Sequence, residues 1–306
     1  MTGLGAVFLP QLPPEQLTSL AQAADDAGLE ELWLWEDCFR QGGIATAAAA
    51  LARTSRLRLG IGLLPVPLRN AALTAMEVAT LHRLFPDRAR VAVGHGVQEW
   101  MGQVGARVES PLTLLREYLV ALRLLLAGEE VTTTGRYVQL RQVALDWPPA
   151  APPEILAGAV GPQSLRLSGQ FADGTVLTAG NSPADVRRAL ELIDEGRLVA
   201  GRRDAHSVVV YVHAATGPGA AQRLEDDYQR WGYGAPAKEL GVAGDAAAVA
   251  EAVQRWAQAG AGTVVLQPTA DDPDPEGFVR FVAEEVRPLL GEQPRASRPR
   301  WPAPGS

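Results

Sequence analysis

Apolar residues along this chain follow two alternating rhythms. Short continuous apolar runs, as expected of strands covered on both faces, alternate with longer segments whose apolar positions recur every three or four residues. The runs at Gly3–Leu9, Leu32–Trp35, Leu57–Gly62, Arg90–Val93, Glu154–Leu156, Thr175–Thr178, Val208–His213 and Thr263–Leu266 predict eight strands. Pro13–Ala27, Ile44–Arg53, Ala71–Leu84, Pro111–Ala127, Pro162–Phe171, Pro183–Ala200, Asp245–Ala259 and Gly277–Leu290 predict helices. Pro111–Ala127 is the clearest, because Leu112, Leu115, Leu119, Leu122 and Leu126 share one helical face. Two segments stand outside the alternation. Glu130–Thr133 and Arg136–Leu140, joined through Thr134 and Gly135, read as a small hairpin. Gly217 to Gly241 is irregular, with a partly helical piece.

Strands that alternate with helices close either as a barrel or as an open, doubly wound sheet. Eight strands and a length near the ~250 residues typical of a barrel favour the former. No G-x-G-x-x-G follows the first strand, which argues against a dinucleotide-binding open sheet. The fold class is therefore α/β, a TIM (β/α)8 barrel with insertions, filling residues 1–290 as one domain. Residues 291–306, rich in proline and arginine, read as a disordered tail.

A barrel of this kind keeps its chemistry at the C-terminal ends of its strands. The second strand ends in Glu36-Asp37-Cys38-Phe39. Asp37 is the stronger functional candidate; a cap or turn residue is the plainer reading for both acids. Cys38 has no evident histidine partner and reads as a small buried hydrophobe. The fourth strand ends in Gly94-His95-Gly96-Val97, a thin loop against which a flat ring could lie. After the fifth strand, Gly158, Ala159, Val160 and Gly161 lead into Pro162-Gln163-Ser164 at a helix start. Small residues and free amides there form an anion site, suited to a phosphate.

Composition narrows the classes. The 306 residues carry a net charge of −7, against the basic footprint that nucleic-acid binding requires. Cys38 is the sole cysteine, so intramolecular disulfides and cysteine-clustered zinc are excluded. His82, His95, His206 and His213 include no close ligand pair, and the odd spacing of the last two puts them on opposite strand faces, so no metal is expected. No run of about 18 apolar residues and no leader pattern is present, which predicts a cytoplasmic protein away from membranes. Lys238 is the only lysine, so a bound phosphate has to rely on amides, hydroxyls or arginine.

An ordered set of motifs now becomes informative. Gly3-Leu-Gly-Ala-Val, Ala23-Ala-Asp-Asp-Ala-Gly-Leu29, Leu32-Trp-Leu-Trp-Glu-Asp37, Leu57-Arg-Leu-Gly-Ile-Gly62, Arg69-Asn-Ala-Ala72, Val91-Ala-Val-Gly-His-Gly96, Gly135-Arg-Tyr-Val138, Ala172-Asp-Gly174 and Ala257-Gln-Ala-Gly-Ala-Gly262 together resemble the bacterial-luciferase-like family, in particular its deazaflavin-dependent oxidoreductases. The resemblance implies hydride transfer between coenzyme F420 and a small organic substrate. FMN, with a monooxygenase reaction, is the alternative cofactor, and a non-catalytic cofactor-binding barrel is a further alternative. It implies a cis peptide at Gly62–Leu63 supporting the ring, Asp37 at the cofactor, Gly94 and Gly96 beside the ring, and Gly158, Ala159, Gly161 and Ser164 around the phosphate. It also suggests a homodimer. Two positions depart from sugar-phosphate-oxidising relatives: Cys38 stands where they carry histidine, and Val97 where they carry glutamate. His95, Glu99 and His213 are the substitute acid–base candidates, histidine because it titrates near neutrality.

Overall fold

The computed structural model describes residues 2–233 and 236–291. Its strands are β1 (Gly3–Val7), β2 (Glu31–Leu34), β3 (Arg58–Pro65), β4 (Ala89–Gly94), the hairpin β5 (Val131–Thr134) and β6 (Gln139–Val143), then β7 (Ile155–Gly158), β8 (Gly174–Leu177), β9 (Ser207–Ala215), β10 (Gly241–Ala243) and β11 (Thr263–Gln267). Eight of these pair in parallel in the order β9-β11-β1-β2-β3-β4-β7-β8, and β8 pairs back onto β9. That last pairing closes the TIM barrel expected from the alternation. Helices α1 (Leu17–Ala27), α2 (Gly43–Arg53), α3 (Ala71–Leu84), α4 (Gln98–Gln103), α5 (Pro111–Leu126), α6 (Pro162–Phe171), α7 (Pro183–Val199), α8 (Ala220–Trp231), α9 (Ala237–Leu240), α10 (Ala246–Gln258) and α11 (Pro275–Arg280) connect and cover the strands.

Strand periodicity sorts the apolar side chains into two cores. Val7, Trp33, Ala92, Leu156, Val176, Val209, Tyr211 and Val265 fill the barrel lumen. Their neighbours in sequence, such as Leu32, Val91, Ile155 and Val208, face outward into the larger core beneath the helices. Trp33 needs more room than a lined lumen offers. A Cβ at Gly60 would lie 2.1 Å from its ring, so the indole occupies the volume this glycine leaves empty. Below it, the Trp33 indole N–H donates to Glu31 at 2.9 Å, and Arg58 and Arg90 pair with the same carboxylate. Above it, Tyr211 meets Trp33 edge-on and stacks against Trp35. An aromatic column thus runs up the axis from an ionic floor to the mouth.

Four sequence readings need correction. β3 runs on to Pro65, past the predicted end at Gly62, because it bulges: its register with β4 shifts between Ile61 and Leu64, at the cis peptide Gly62–Leu63. The second hairpin strand starts at Gln139 and not at Arg136, because the Glu117 carboxylate accepts the amides of Arg136, Tyr137 and Val138 and holds them in the turn. The irregular stretch contains α8, α9 and the short β10, which pairs with the end of β9 outside the closed barrel. The last helix starts at Pro275, where Asp274 caps the Gly277 amide, and turns through a π-helical stretch at Phe281–Val286. The tail reading falls, beyond Gly291, outside the described residues. No helix among the described residues is long and apolar enough to cross a membrane.

The floor yields a stability prediction. Glu31 is 1% exposed and is shared by two arginines and an indole. Glu31→Ala leaves Arg90, itself mostly buried, without its carboxylate, and is expected to cost about 3 kcal/mol in urea unfolding. Glu31→Gln, which still accepts the indole bond, should lose less.

Candidate active site

The strand ends of the barrel open into a cavity of about 480 Å³. Its floor and one wall depend on Leu63. A Cβ on Gly158 would lie 2.2 Å from Leu63 Cδ2, and one on Gly94 would lie 2.5 Å from it. The two glycines therefore make room for this side chain across β4 and β7. Gly94 itself sits behind Leu63 and does not line the cavity, whereas Gly96, Gly158, Ala159, Val160 and Gly161 do. Gly62 lines it too, and its carbonyl accepts the Tyr211 hydroxyl at 3.3 Å.

At the end of β2 the two acids part ways. Glu36 is tied down: Arg69 reaches both of its oxygens, at 3.2 and 2.8 Å, and the Gly43 amide donates to it at 2.7 Å. Its own amide donates to the Leu63 carbonyl at 3.2 Å, so this residue joins the loops after β2 and β3. Asp37 lines the cavity with no such clamp. Burial raises its pKa, while a hydrogen bond from Trp35 and the charge of Arg40 work against that rise. Cys38 does not line the cavity, and burial together with Glu36 and Asp37 raises its thiol pKa, which disfavours the thiolate.

His95 follows β4 and also lines the cavity; its Nε2 lies 2.9 Å from Ser164 Oγ in the first turn of α6. Burial lowers its pKa, so the ring is neutral at neutral pH, and the Pro111 carbonyl only partly offsets this. The start of α6 has the form expected of an anion site. Gly161 is the cap residue with open space around it, Pro162 opens the helix, and first-turn amides have no partner within a helix.

Two further acid–base candidates lie elsewhere. Glu99 is exposed on α4 and outside the cavity lining. The short helix turns it to solvent while Trp100, its neighbour, forms the wall. His213 is fully enclosed, one layer behind Gln267, with Gln267 Nε2 at 2.7 Å from its Nε2. His206 immediately precedes β9, with its Nε2 2.8 Å from Thr175 Oγ1 on β8. Sequence reasoning passed over Tyr211, Thr178 and Gln267, which line the cavity from β9, β8 and β11. The signal was available only in part: Thr178 and Gln267 sit at strand ends and Tyr211 in the middle of β9, and polar or aromatic residues at such places have no local pattern of their own.

A family model described as luciferase-like monooxygenase matches residues 4–267. The chain belongs to this family. Among curated proteins it is 30% identical over 210 residues to a 5,10-methylenetetrahydromethanopterin reductase of Methanolobus tindarius, an alignment covering 69% of this chain and 64% of that protein. It is 30% identical over 209 residues to the Archaeoglobus fulgidus protein of the same name, covering 68% and 62%. The match thus spans under two thirds of the length of these relatives. The fold is shared with a coenzyme F420-dependent tetrahydromethanopterin reductase from Methanopyrus kandleri, at TM-score 0.82 and 23% identity, covering 95% of this chain and 99% of that one. It is also shared with an F420-dependent secondary alcohol dehydrogenase bound to an F420-acetone adduct, at TM-score 0.84 and 20% identity, with 95% and 99% covered.

Packing at Leu63 predicts that Gly158→Ala destabilises by roughly 1–3 kcal/mol, the usual cost of overpacking, and that Leu63→Ala in the same chain relieves part of it. A double-mutant cycle in urea measures this; strict additivity would contradict it. The histidines predict a pH dependence. Burial pushes His213 down to about 4, and burial with Arg197 and Arg202 pushes His206 down to about 4. The unfolded chain takes up these protons near 6.5 while the folded one refuses them. Unfolding free energy is therefore expected to fall as pH drops from about 6.5 towards 4, and His206→Gln should flatten that slope.

Proposed function

We propose that this protein is an F420-dependent oxidoreductase acting on a small organic substrate. The observation that carries the reading is the meeting, in one cavity, of an apolar slot and a helix start with free amides. Leu63, Trp35 and Trp100 offer apolar surface to a flat ring, and the amides and hydroxyl at Gln163 and Ser164 suit a phosphate in a chain with one lysine. The reductase names of the sequence relatives support the same reading.

When bound, the deazaflavin supplies or accepts a hydride at its ring carbon. The protein's part is to hold, dry and protonate. His95 Nε2, 2.9 Å from Ser164 Oγ, fixes the place of that hydroxyl in the first turn of α6. Trp35, Trp100 and Trp231 wall the cavity and exclude water from the face where hydride moves. Asp37, whose burial favours the protonated form, is the carboxyl placed to hold the proton that accompanies the hydride. Glu36 cannot share that task, since Arg69 and the Gly43 amide occupy it.

Titrating the purified protein with F420 and with FMN tests the assignment. F420 is expected to bind, and Ser164→Ala to weaken it roughly tenfold to a hundredfold, the worth of one hydrogen bond to a charged group. The same variant should leave the phosphate-free deazaflavin riboside unaffected. Tight binding of FMN with none of F420 would replace this reading with a flavin monooxygenase.

A further inference from the structure

The side of the mouth across the barrel from α6 carries a polar group that the proposed reaction does not use. Gln267 ends β11, lines the cavity and is only 6% exposed. Its Nε2 lies 2.7 Å from Nε2 of His213, its register partner on β9. An amide nitrogen can only donate, so the His213 Nε2 accepts and is unprotonated. With the amide nitrogen as donor, the neutral ring carries its proton on Nδ1, a buried atom with no partner among the described residues. A proton on Nε2 would set two donors against each other. The Gln267 carbonyl oxygen is thereby turned away from His213. Among the described residues it takes no partner, and it is not among their buried unpartnered atoms, so it stays accessible from the cavity.

His213 has little freedom to change this. Its ring meets Tyr228 edge-on at 5.2 Å and Tyr233 at 5.9 Å, both contributed by the segment around the end of α8. Asp227, on α8, comes no closer than 3.8 Å to the imidazole, and its other oxygen is engaged by Arg230 at 2.8 Å. Burial disfavours a second proton on the ring. The hydroxyls of the two tyrosines that line the cavity, Tyr211 and Tyr233, already donate to the Gly62 and Ala179 carbonyls, at 3.3 and 3.2 Å.

We propose that Gln267 reads the bound ligand and that His213 is its positioning residue: the pair presents one fixed carbonyl acceptor to an O–H or N–H donor. Such a donor comes from either of two sources, the hydroxyl or amine of the substrate or a ring N–H of the deazaflavin. The inference rests on the functional reading above for the identity of those ligands.

The full chain is tested with cyclohexanol, cyclohexanone and deazaflavin riboside, each followed by quenching of the cavity tryptophans Trp35, Trp100 and Trp231. If the substrate is the source, wild type prefers the alcohol to the ketone. Gln267→Met then weakens cyclohexanol roughly fivefold to tenfold and leaves cyclohexanone unchanged. His213→Leu erases the preference, and His213→Gln, which can still accept from Gln267, restores it. If the ring is the source, Gln267→Met weakens the riboside by a similar factor and neither cyclohexyl probe. Unchanged affinities in every arm, or an equal loss for alcohol and ketone with the riboside unaffected, overturns the proposal. Nitrogen-15 NMR of wild-type His213 needs no variant to fold. A neutral ring protonated on Nδ1 near pH 7 is expected, and a proton on Nε2 overturns the proposal. Failure of wild type to bind either F420 or the riboside sinks the functional reading alone, since the imidazole spectrum and the alcohol preference are read without either.

Discussion

Inside this barrel the Trp33 indole occupies space that only a glycine at position 60 leaves open. An added Cβ there would lie 2.1 Å from the ring, far inside any contact distance. With the ring in place, its N–H donates to Glu31 below. Tyr211 lies on top of it, anchored to the Gly62 carbonyl, and carries Trp35 at the mouth. The cavity floor is thus the upper end of a column that begins in an ionic cluster. Interiors packed this densely transmit a change at one layer to the next.

The two ends of the column solve opposite electrostatic problems. At the floor, a buried carboxylate is matched by two guanidinium groups and gives the barrel fixed charge where no ligand enters. At the mouth and just behind it, burial works toward neutral groups: His95 and His213 are held neutral and Asp37 is shifted toward its acid form. Glu36 lines the cavity as well, but its charge is matched by Arg69, and the pair ties the loop after β2 to the segment that follows β3. A neutral, apolar mouth suits hydride movement, because a low local dielectric magnifies any stray charge.

Legibility of the elements followed the locality of their causes. The helix Ala71–Leu84 was predicted to the residue, because Asn70 caps it and Phe85-Pro86 stops it from within the sequence. Pro162–Phe171 was equally clear, with proline in its first turn. The hairpin register was not, since it is set by Glu117, distant in sequence, taking the amides of the turn. β10 was invisible for a different reason: three residues carry no periodicity, and the strand exists only because β9 extends beyond the barrel rim to receive it.

The site divides along the same line. Sequence by itself determined the barrel, the strand ends at which to search, the helix start at Gly161 to Ser164, and Asp37 and His95 as residues of the mouth, because each depends on periodicity or on a short motif. Only the tertiary structure decided what the glycines are for. Gly94 and Gly158 leave room for Leu63, a residue on another strand, and a glycine's neighbour in space is not written beside it in the chain. It likewise decided that Glu99 faces solvent, that His213 stands behind Gln267, and that Gln267 and Tyr211 reach the cavity at all. Local propensity specifies which residues become strands; closure of the barrel specifies which of their ends meet.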